Sequence, residues 1–290
     1  MWLSKDWEDY IILDTSDGEK LEKWGDYTFI RPDPQVVWSY KHKESEWKKA
    51  DGIYHRSSKG GGNWNIKTKN LPESWEIKYK NLKFLVKPTG FKHTGLFPEQ
   101  AANWDFIMDK IENAKKEVKV LNLFGYTGGA TIAALSKNAS VCHVDASKGI
   151  MSWCKDNVCL NGFENKKIRY IVDDAVKFVE REVRRGNKYD AVIMDPPSYG
   201  RGPNGEIWKL EDKIYSLVEL LTDVLSDDPL FFIVNSYTTG FAPTVLYNIL
   251  SMTVNKKFPG KVEAGELGLP VHDSPFILPC GSTGRWEKIQ

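Results

Sequence analysis

The run DPPSYGRG, from Asp195 to Gly202, follows the apolar segment YDAVIM. Its two prolines end any strand, because neither ring nitrogen can donate a hydrogen bond to a β-ladder. The run also brings together a carboxylate, carbonyl oxygens of fixed direction and an aromatic face. An acid beside a fixed carbonyl can accept hydrogen bonds from an exocyclic amine, and an aromatic side chain can stack on a planar ring. We therefore predict catalytic roles for Asp195, Pro196, Pro197 and Tyr199; the alternative is a strand-ending turn with an aspartate cap.

A second run, NLFGYTGGA, begins at Asn122 and ends an earlier apolar segment. Its glycines let the backbone turn sharply and let a ligand approach the start of the next helix. Asp145 ends the following apolar segment, where an acid can bind both hydroxyls of a ribose. Asp174 opens the helix after the third segment, and its simpler role is a helix N-cap. Glycines and an acid at this spacing together favour nucleoside binding over a plain turn.

The order of the glycines indicates which nucleoside cofactor binds. Nicotinamide-binding folds use G-x-G-x-x-G to hold a pyrophosphate, whereas this chain has G-x-x-G-G. That order fits a cofactor without a pyrophosphate, such as S-adenosylmethionine. Its sulfonium, ammonium and carboxylate need an aromatic ring, an acid or carbonyl, and backbone amides. We expect Phe124 and Tyr126 near the sulfonium, with core packing as the alternative for both.

The elements that must position these residues change in character along the chain. The first 90 residues contain the β-like runs YIILD, DYTFIRP, VVWSY and LKFLVKP, with a glycine-rich loop between them. From Pro98 onward, apolar spacing predicts a helix and then a regular alternation of strands and helices. Two closing strands, KVEAGELGL and PFILPC, follow. Alternation of this length predicts an α/β fold with a doubly wound parallel sheet and helices on both faces.

Several motifs in order resemble the class I S-adenosylmethionine-dependent RNA methyltransferases. They are KHTGLFPEQAANW, VLNLFGYTGGATIAALSKNASVCHVDASKGIMSWCKDNVCLNG, DDAVKFVERE and YDAVIMDPPSYGRG. The bacterial family that converts bases of large-subunit ribosomal RNA to 5-methylcytosine or 7-methylguanine is the most similar. The resemblance covers about residues 92 to 240 and implies a Rossmann-like seven-stranded methyltransferase sheet whose last strand is antiparallel. It also implies a small N-terminal β-rich (α+β) accessory domain over residues 1–90, before a methyltransferase domain over residues 91–290.

The resemblance, together with the glycine and acid motifs, gives the predicted cofactor-binding set. Its members are Phe97, Gln100, Asn122, Phe124, Gly125, Tyr126, Thr127, Gly128, Gly129, Asp145, Ala146, Ser147, Asp173, Asp174 and Ala175.

One departure from the family bears on the atom that is methylated. Methylation of cytosine at carbon 5 needs a cysteine thiolate, which in that branch follows the fifth strand. Here that strand ends in FFIVNSYTTGF and contains no cysteine, and Cys280 lies far along the chain. We therefore favour methylation of a base nitrogen, with Asn235 and Tyr237 lining the base pocket. The loop GRGPNGEIWKLED can clamp substrate through Arg201, or it is a solvent loop whose Trp208 packs under the domain.

Composition limits the remaining possibilities. The 290 residues contain no apolar run of about 18, and the acidic N-terminus is unlike a signal peptide, so a cytoplasmic protein without a membrane span is expected. The cysteines and histidines form no ligand cluster, so we predict no metal and reduced thiols. Between Lys41 and Lys92 the net charge is +8, and seven of the 11 tryptophans precede residue 80. That segment suits a polyanion with exposed bases, or equally a β-domain with core tryptophans and surface lysines.

The leading hypothesis is an S-adenosylmethionine-dependent methyltransferase that acts on RNA, in particular ribosomal RNA. Alternatives are a methyltransferase for protein or small molecules, a 5-methylcytosine RNA methyltransferase and a non-catalytic RNA-binding module. A nicotinamide oxidoreductase fits the glycine order poorly. The sequence leaves the oligomeric state open.

Overall fold

The computed structural model describes residues 1–57, 61–90, 92–201 and 207–289, which form two compact units. The sheet unit holds Asn103–Leu267 and Gly281–Gln290 together with Met1. The N-terminal unit holds Trp2–Ala102 and Gly268–Cys280. This division differs from the boundary expected at residue 90, because residues 91–102 and 268–280 both group with the N-terminal unit.

Short strands make up most of the N-terminal unit. Its elements are β1 (Trp2–Leu3), β2 (Tyr10–Ser16), β3 (Glu19–Trp24), β4 (Tyr27–Pro32), α1 (Glu44–Lys49), β5 (Gly52–Arg56), β6 (Gly62–Ile66), β7 (Trp75–Tyr79), β8 (Leu82–Val86) and a 3₁₀ turn (Pro98–Gln100). Strands β2 to β6 form one sheet in chain order, in which β4 and β5 are parallel. The strand expected at VVWSY is wrong. The carbonyls of Val36 and Trp38 accept hydrogen bonds from the turn at Asp17–Gly18, so this segment joins no ladder.

The seven tryptophans that precede residue 80 pack within the N-terminal unit. Each of them is buried or half-buried. Trp24 is fully buried, with its ring centroid 4.6 Å from that of Tyr10. The indole N–H of Trp75 donates to the Trp24 carbonyl at 2.9 Å. Of the two interpretations offered for these aromatic residues, core packing is the one that the structure supports.

The remaining elements follow the predicted alternation, except that two short antiparallel strands, β13 (Tyr199–Arg201) and β14 (Ile207–Lys209), lie where a loop was expected. They are α2 (Ala101–Glu112), β9 (Lys119–Leu123), α3 (Gly129–Ser136), β10 (Ser140–Asp145), α4 (Lys148–Leu160), β11 (Ile168–Val172), α5 (Ala175–Arg185), β12 (Ala191–Met194), β13, β14, α6 (Leu210–Leu221), β15 (Phe231–Ser236), α7 (Pro243–Met252), α8 (Val254–Lys257), β16 (Lys261–Pro270) and β17 (Ile277–Glu287). The closing strand β17 is longer than the predicted PFILPC. Its second half pairs with β15 through small and polar residues, such as Gly284 opposite Val234, and these hid the strand in the sequence.

The main sheet of the described chain has the order β16-β17-β15-β12-β9-β10-β11. Strands β15, β12, β9, β10 and β11 are mutually parallel, and β17 is antiparallel to β15. The predicted methyltransferase sheet with an antiparallel last strand is therefore confirmed. β1 adds an eighth strand beside β16, where Ser4 N–H donates to the Gly268 carbonyl. The central strands are apolar on both faces because helices cover both, as in β12, where all four residues are buried.

Candidate active site

The register of the parallel strands brings five residues level with one another at the carboxyl edge of the sheet. Met194 of β12 pairs with Val234 of β15 and with Leu123 of β9, and Leu123 pairs with Val144 of β10. The next residues along these four strands are Asn235, Asp195, Phe124 and Asp145, and Asp145 itself pairs with Val172 of β11. Because neighbouring strands are about 4.8 Å apart, Asp195 and Asp145 flank Phe124 with their backbones about 10 Å apart. The two motifs noted in the sequence thus meet at one edge.

The glycine loop, defined as Phe124 to Gly129, turns sharply between β9 and α3. Phe124, Tyr126 and Gly128 have φ angles of 54°, 51° and 94°, all in the left-handed region. For the two aromatic residues this backbone is unfavourable by about 1–3 kcal/mol each, and such strain is typical of ligand-binding turns. From below, the Asn157 amide of α4 donates to the Thr127 carbonyl at 2.9 Å. Thr127 itself is fully buried.

Asp145 is the best-placed acid of the site. Its carboxylate accepts hydrogen bonds from the backbone N–H groups of Tyr126 at 3.0 Å and Ser147 at 2.9 Å. Burial raises the pKa of Asp145 above its usual value, while these two N–H groups act in the opposite direction. Because a carboxylate can accept about four hydrogen bonds, capacity remains for a pair of ribose hydroxyls. Ala146 and Ser147 are exposed beside it, and the Ser147 hydroxyl caps α4 by accepting from Ile150 N–H.

Asp173 and Asp174 follow β11 but already have structural partners. Asp174 is exposed and caps α5, accepting from Lys177 N–H at 2.9 Å, which is the simpler role predicted for it. Asp173 forms an ion pair with Arg181, and its backbone N–H donates to the Asp145 carbonyl at 3.2 Å. Ala175 is buried at the start of α5. A cofactor contact from this segment stays a prediction.

Two further predicted cofactor residues, Phe97 and Gln100, belong to the N-terminal unit. The Phe97 ring is 4.9 Å from that of His93, and its carbonyl accepts from Gln100 N–H at 3.0 Å. Gln100 is buried in the 3₁₀ turn.

The Asp-Pro-Pro corner, defined as Asp195 to Ser198, is held by hydrogen bonds to β9, to β14 and to the loop after β15. Asp195 N–H donates to the Leu123 carbonyl at 3.4 Å, which ties the corner to β9. The Trp208 indole N–H donates to the Pro197 carbonyl at 2.6 Å, so this oxygen is already engaged. The Thr238 hydroxyl donates to the Ser198 hydroxyl at 2.8 Å, which joins the loops after β12 and β15. Pro196 is buried and Pro197 is exposed.

The β13–β14 hairpin beyond the corner has two different faces. Tyr199 pairs with Lys209, and Gly200 pairs with Trp208. Side chains opposite each other share a face, so Tyr199, which is 51% exposed, lies on the outer face and Trp208 on the other. The Trp208 ring centroid is 5.5 Å from that of Phe124 in the glycine loop. The side chain of Arg201, predicted to clamp the substrate, lies outside the described residues. Residues 202–206 lie outside them as well.

Asn235 and Tyr237 follow β15 with different exposure. Asn235 is 1% exposed, and its side-chain oxygen accepts from the Asn103 amide at 3.1 Å. Asn103 in turn accepts from Arg285 at 2.9 Å, so Asn235 belongs to a buried polar cluster. Tyr237 is half-buried and packs close to Gly281. Their predicted place in a base pocket stays a prediction, with Tyr237 the more accessible of the two.

The comparisons with known proteins agree with this geometry. Residues 53–240 match the family model described as S-adenosylmethionine-dependent methyltransferase. The chain belongs to this family. The methyltransferase is also similar, over 99% of its length, to the crystal structure of the SAM-dependent methyltransferase from Agrobacterium tumefaciens, with 35% identity, a TM-score of 0.93 and 93% of that chain covered. SMU.776 complexed with SAH shares the fold, with a TM-score of 0.71, 18% identity, and coverage of 97% of this chain and 76% of that one.

Curated relatives match a shorter part of the methyltransferase. The ribosomal RNA large subunit methyltransferase K/L of Shewanella baltica is 34% identical over 125 residues, which cover 43% of this chain and 17% of the relative. The protein of the same name from Pseudoalteromonas atlantica is 31% identical over 145 residues, covering 50% of this chain and 20% of the relative. The chain therefore spans about a fifth or less of the length of these relatives.

The cofactor of the methyltransferase is S-adenosylmethionine, and the carboxyl edge of the sheet fits it. Asp145 offers carboxylate oxygens beside two backbone N–H groups, as a ribose requires. The strained glycine loop precedes the N-terminus of α3, where backbone amides suit a carboxylate. Among the described residues, no group of three or more His, Cys, Asp or Glu side chains is placed to hold a metal ion. In the same part of the chain, no helix is long and apolar enough to cross a membrane.

Sequence reasoning missed the residues that hold these loops in place. Asn157 and His143 lie inside regular elements, and Ser198 and Thr238 lie 40 positions apart. Packing of Trp208 was one of the two alternatives for its loop, but its contacts with Phe124 and Pro197 were not predicted. The polar Asn157 within the apolar face of α4 was the one visible signal, because a buried amide needs a hydrogen-bond partner.

Proposed function

We propose that this methyltransferase methylates a base nitrogen in RNA and that ribosomal RNA is its substrate. The observation that carries the proposal is the level placement of Asp195 beside Phe124 and Asp145 at one sheet edge. A group bound at Asp195 is then next to the cofactor site. Support for RNA comes from the two bacterial relatives named as ribosomal RNA methyltransferases.

The cysteines favour nitrogen over carbon 5 as the acceptor. Cys142 and Cys154 are buried in β10 and α4, and burial raises the pKa of each thiol. Burial also raises the pKa of Cys280 well above its usual value, and its thiol donates to the Leu278 carbonyl at 3.4 Å. Carbon-5 methylation needs a thiolate to attack the base first. These three thiols are poorly suited to that step, as is exposed Cys159, whose pKa is raised by its hydrogen bond to Glu164. An exocyclic or ring nitrogen needs no covalent intermediate.

In this mechanism the side chains of the protein position the base and the cofactor, and the cofactor provides the reactive group. S-adenosylmethionine supplies an electrophilic methyl group when bound. Asp145 would hold the ribose, and Asp195 would accept an N–H of the base so that the nitrogen lone pair faces the methyl group. Tyr199 would stack on the base. Such alignment accounts for most of the acceleration in a reaction that needs little acid–base help.

The N-terminal unit is the proposed RNA-binding part, within the accessory domain assigned to residues 1–90. Its tryptophans pack in the interior, so we expect the positively charged side chains of this unit to bind the RNA. Exposed basic residues include Lys49, Arg56, Lys67 and Lys69. We also propose a cytoplasmic location, because the two relatives named as ribosomal RNA methyltransferases are bacterial, and bacterial ribosomes lie in the cytoplasm.

The test uses RNA from a strain that lacks this gene. Labelled S-adenosylmethionine and the purified enzyme are added, and the RNA is digested to nucleosides for mass spectrometry. We expect one N-methylated nucleoside, absent with Asp195→Ala. A labelled 5-methylcytosine would refute the nitrogen assignment. Transfer to protein or small molecules with none to RNA would refute the substrate.

A further inference from the structure

His143 lies directly beneath the glycine loop and is fully buried in β10. A Cβ atom placed on Gly125 would lie 2.4 Å from His143 Cε1 and 2.6 Å from its Nδ1, and real Cβ atoms essentially never come closer than 3.0 Å to a neighbour. The φ angle of Gly125 is not in the left-handed region, so an alanine there would meet no backbone strain. The imidazole is therefore what requires glycine at this position.

A chain of hydrogen bonds holds the imidazole in place. The Asn122 amide donates to the Thr131 hydroxyl at 2.9 Å, and that hydroxyl lies 2.8 Å from His143 Nδ1. The Thr131 oxygen accepts from Asn122 and keeps a second lone pair and its own proton, so it can either accept from Nδ1 or donate to it, according to the tautomer of His143. Burial lowers the pKa of His143 to about 4, so the ring is neutral at pH 7. Nε2 has no hydrogen-bond partner of normal geometry among the described residues, although the Tyr126 backbone is close enough to favour a proton on the ring.

The distance of Gly125 from the imidazole also affects the orientation of Asp145, the predicted ribose-binding acid. Tyr126 follows Gly125, and its N–H donates to the Asp145 carboxylate. A loop lifted off the imidazole would lose this bond and leave Asp145 less well oriented. The ring therefore acts on the cofactor site through the backbone, without needing to touch the cofactor.

We propose that His143 is a positioning residue for the cofactor loop, and that Gly125 is glycine because of His143 rather than because of the cofactor. The inference depends on the glycine loop being the cofactor site. It differs from the sequence-based expectation that the glycines make room for the ligand.

Gly128 provides a matched control within the same loop. Its added Cβ would lie 2.7 Å from Cys154 Sγ, but its φ of 94° also disfavours any side chain. Removing the Cys154 sulfur should therefore leave Gly128→Ala impaired. Removing the imidazole should relieve Gly125→Ala.

The experiment measures the dissociation constant of S-adenosylhomocysteine by calorimetry and the melting temperature without ligand. We expect Gly125→Ala to weaken binding about tenfold or more, as an extra methyl group in a packed contact does. In Gly125→Ala/His143→Val we expect affinity within about threefold of His143→Val alone, since contacting sites are non-additive. Gly128→Ala/Cys154→Ala should stay as weak as Gly128→Ala.

Three outcomes separate the possibilities. Normal binding by Gly125→Ala, or additive losses in the Gly125–His143 double variant, would overturn the proposal. If His143→Val does not fold, His143→Ala replaces it, because both end short of the clashing ring atoms. Absence of binding by the wild-type chain would instead refute the cofactor site itself.

Discussion

The two halves of the active-site edge are held in different ways. The glycine loop is packed from below: Gly125 rests on His143, Gly128 on Cys154 and Thr127 on Asn157. The Asp-Pro-Pro corner is held from the side by hydrogen bonds from Trp208 and Thr238, at the base of an exposed hairpin. The cofactor half thus depends on buried contacts, and the proposed substrate half on a few polar contacts near solvent. Mutations in the glycine loop should lower cofactor affinity and stability together. Mutations in the Asp-Pro-Pro corner should lower the catalytic rate with little change in cofactor affinity or stability.

The largest effect is expected for Asp195→Ala. Losing an acceptor that orients the substrate in the transition state should lower kcat about 10²–10³-fold, as for comparable hydrogen-bonding groups. S-adenosylmethionine affinity, measured by calorimetry, should stay within about threefold of wild type, a difference of less than 1 kcal/mol. Full activity in this variant would remove Asp195 from the mechanism.

The second effect is a pH dependence of stability that arises beneath the glycine loop. The pKa of His143 is about 4 in the folded chain, lowered mainly by burial, against about 6.5 when unfolded. Between these values the unfolded chain binds more protons, so the stabilisation is complete above pH 6.5 and is lost as pH falls towards 4. The total is roughly 3 kcal/mol at 1.36 kcal/mol per pKa unit. Urea titrations from pH 7 to pH 4 should show a smaller loss for His143→Val than for wild type; equal losses would contradict this.

A smaller effect is expected for Asp145→Ala. Hydrogen bonds to a charged group contribute about 1.5–3 kcal/mol, so cofactor affinity should fall about 10–100-fold. Asp174→Ala is the control, because its carboxylate caps α5 and its loss should cost only about 1 kcal/mol of stability. Calorimetry and thermal melting on both variants separate the two roles. An equal loss of affinity in both would assign Asp174 to the cofactor as well.

The smallest effect is expected for Trp208→Phe. This change keeps a ring against Phe124 but removes the N–H that binds the Pro197 carbonyl. A neutral hydrogen bond is worth about 0.5–1.5 kcal/mol, so kcat/KM for RNA should fall about 2–12-fold. Cofactor affinity should not change. Steady-state kinetics with Trp208→Leu as a second variant would show whether the ring contact also matters.

Local sequence patterns were enough to predict the parallel α/β sheet and the two strand-end motifs. Buried strands and glycine turns are encoded over a few residues, so the strands β9 to β12 were predicted correctly. For Asp174 the helix cap, offered as the alternative to a cofactor contact, is confirmed, and the cofactor contact stays a prediction. The strand expected at residues 36–40 failed because its partners are backbone groups of a distant turn.

Contacts between distant residues explain what could not be predicted. Whether Trp208 faces solvent or the glycine loop depends on the pairing of β13 with β14. Similarly, Asn235 was expected to line the base pocket because its side chain is polar and follows β15. In the structure it is hydrogen-bonded to Asn103, which also binds Arg285, in a buried cluster. Neither partner is near in sequence.

Cys159 gives the molecule a built-in site for chemical labelling. It is the exposed cysteine of the chain, on α4 two positions after Asn157, whereas Cys142 and Cys154 are buried. Its thiol donates to Glu164 at 3.1 Å, and that carboxylate raises the pKa of Cys159. Alkylation with a maleimide dye should therefore need mildly alkaline buffer. The fluorophore would sit on the helix whose amide supports Thr127, so it could report ligand binding without any mutation.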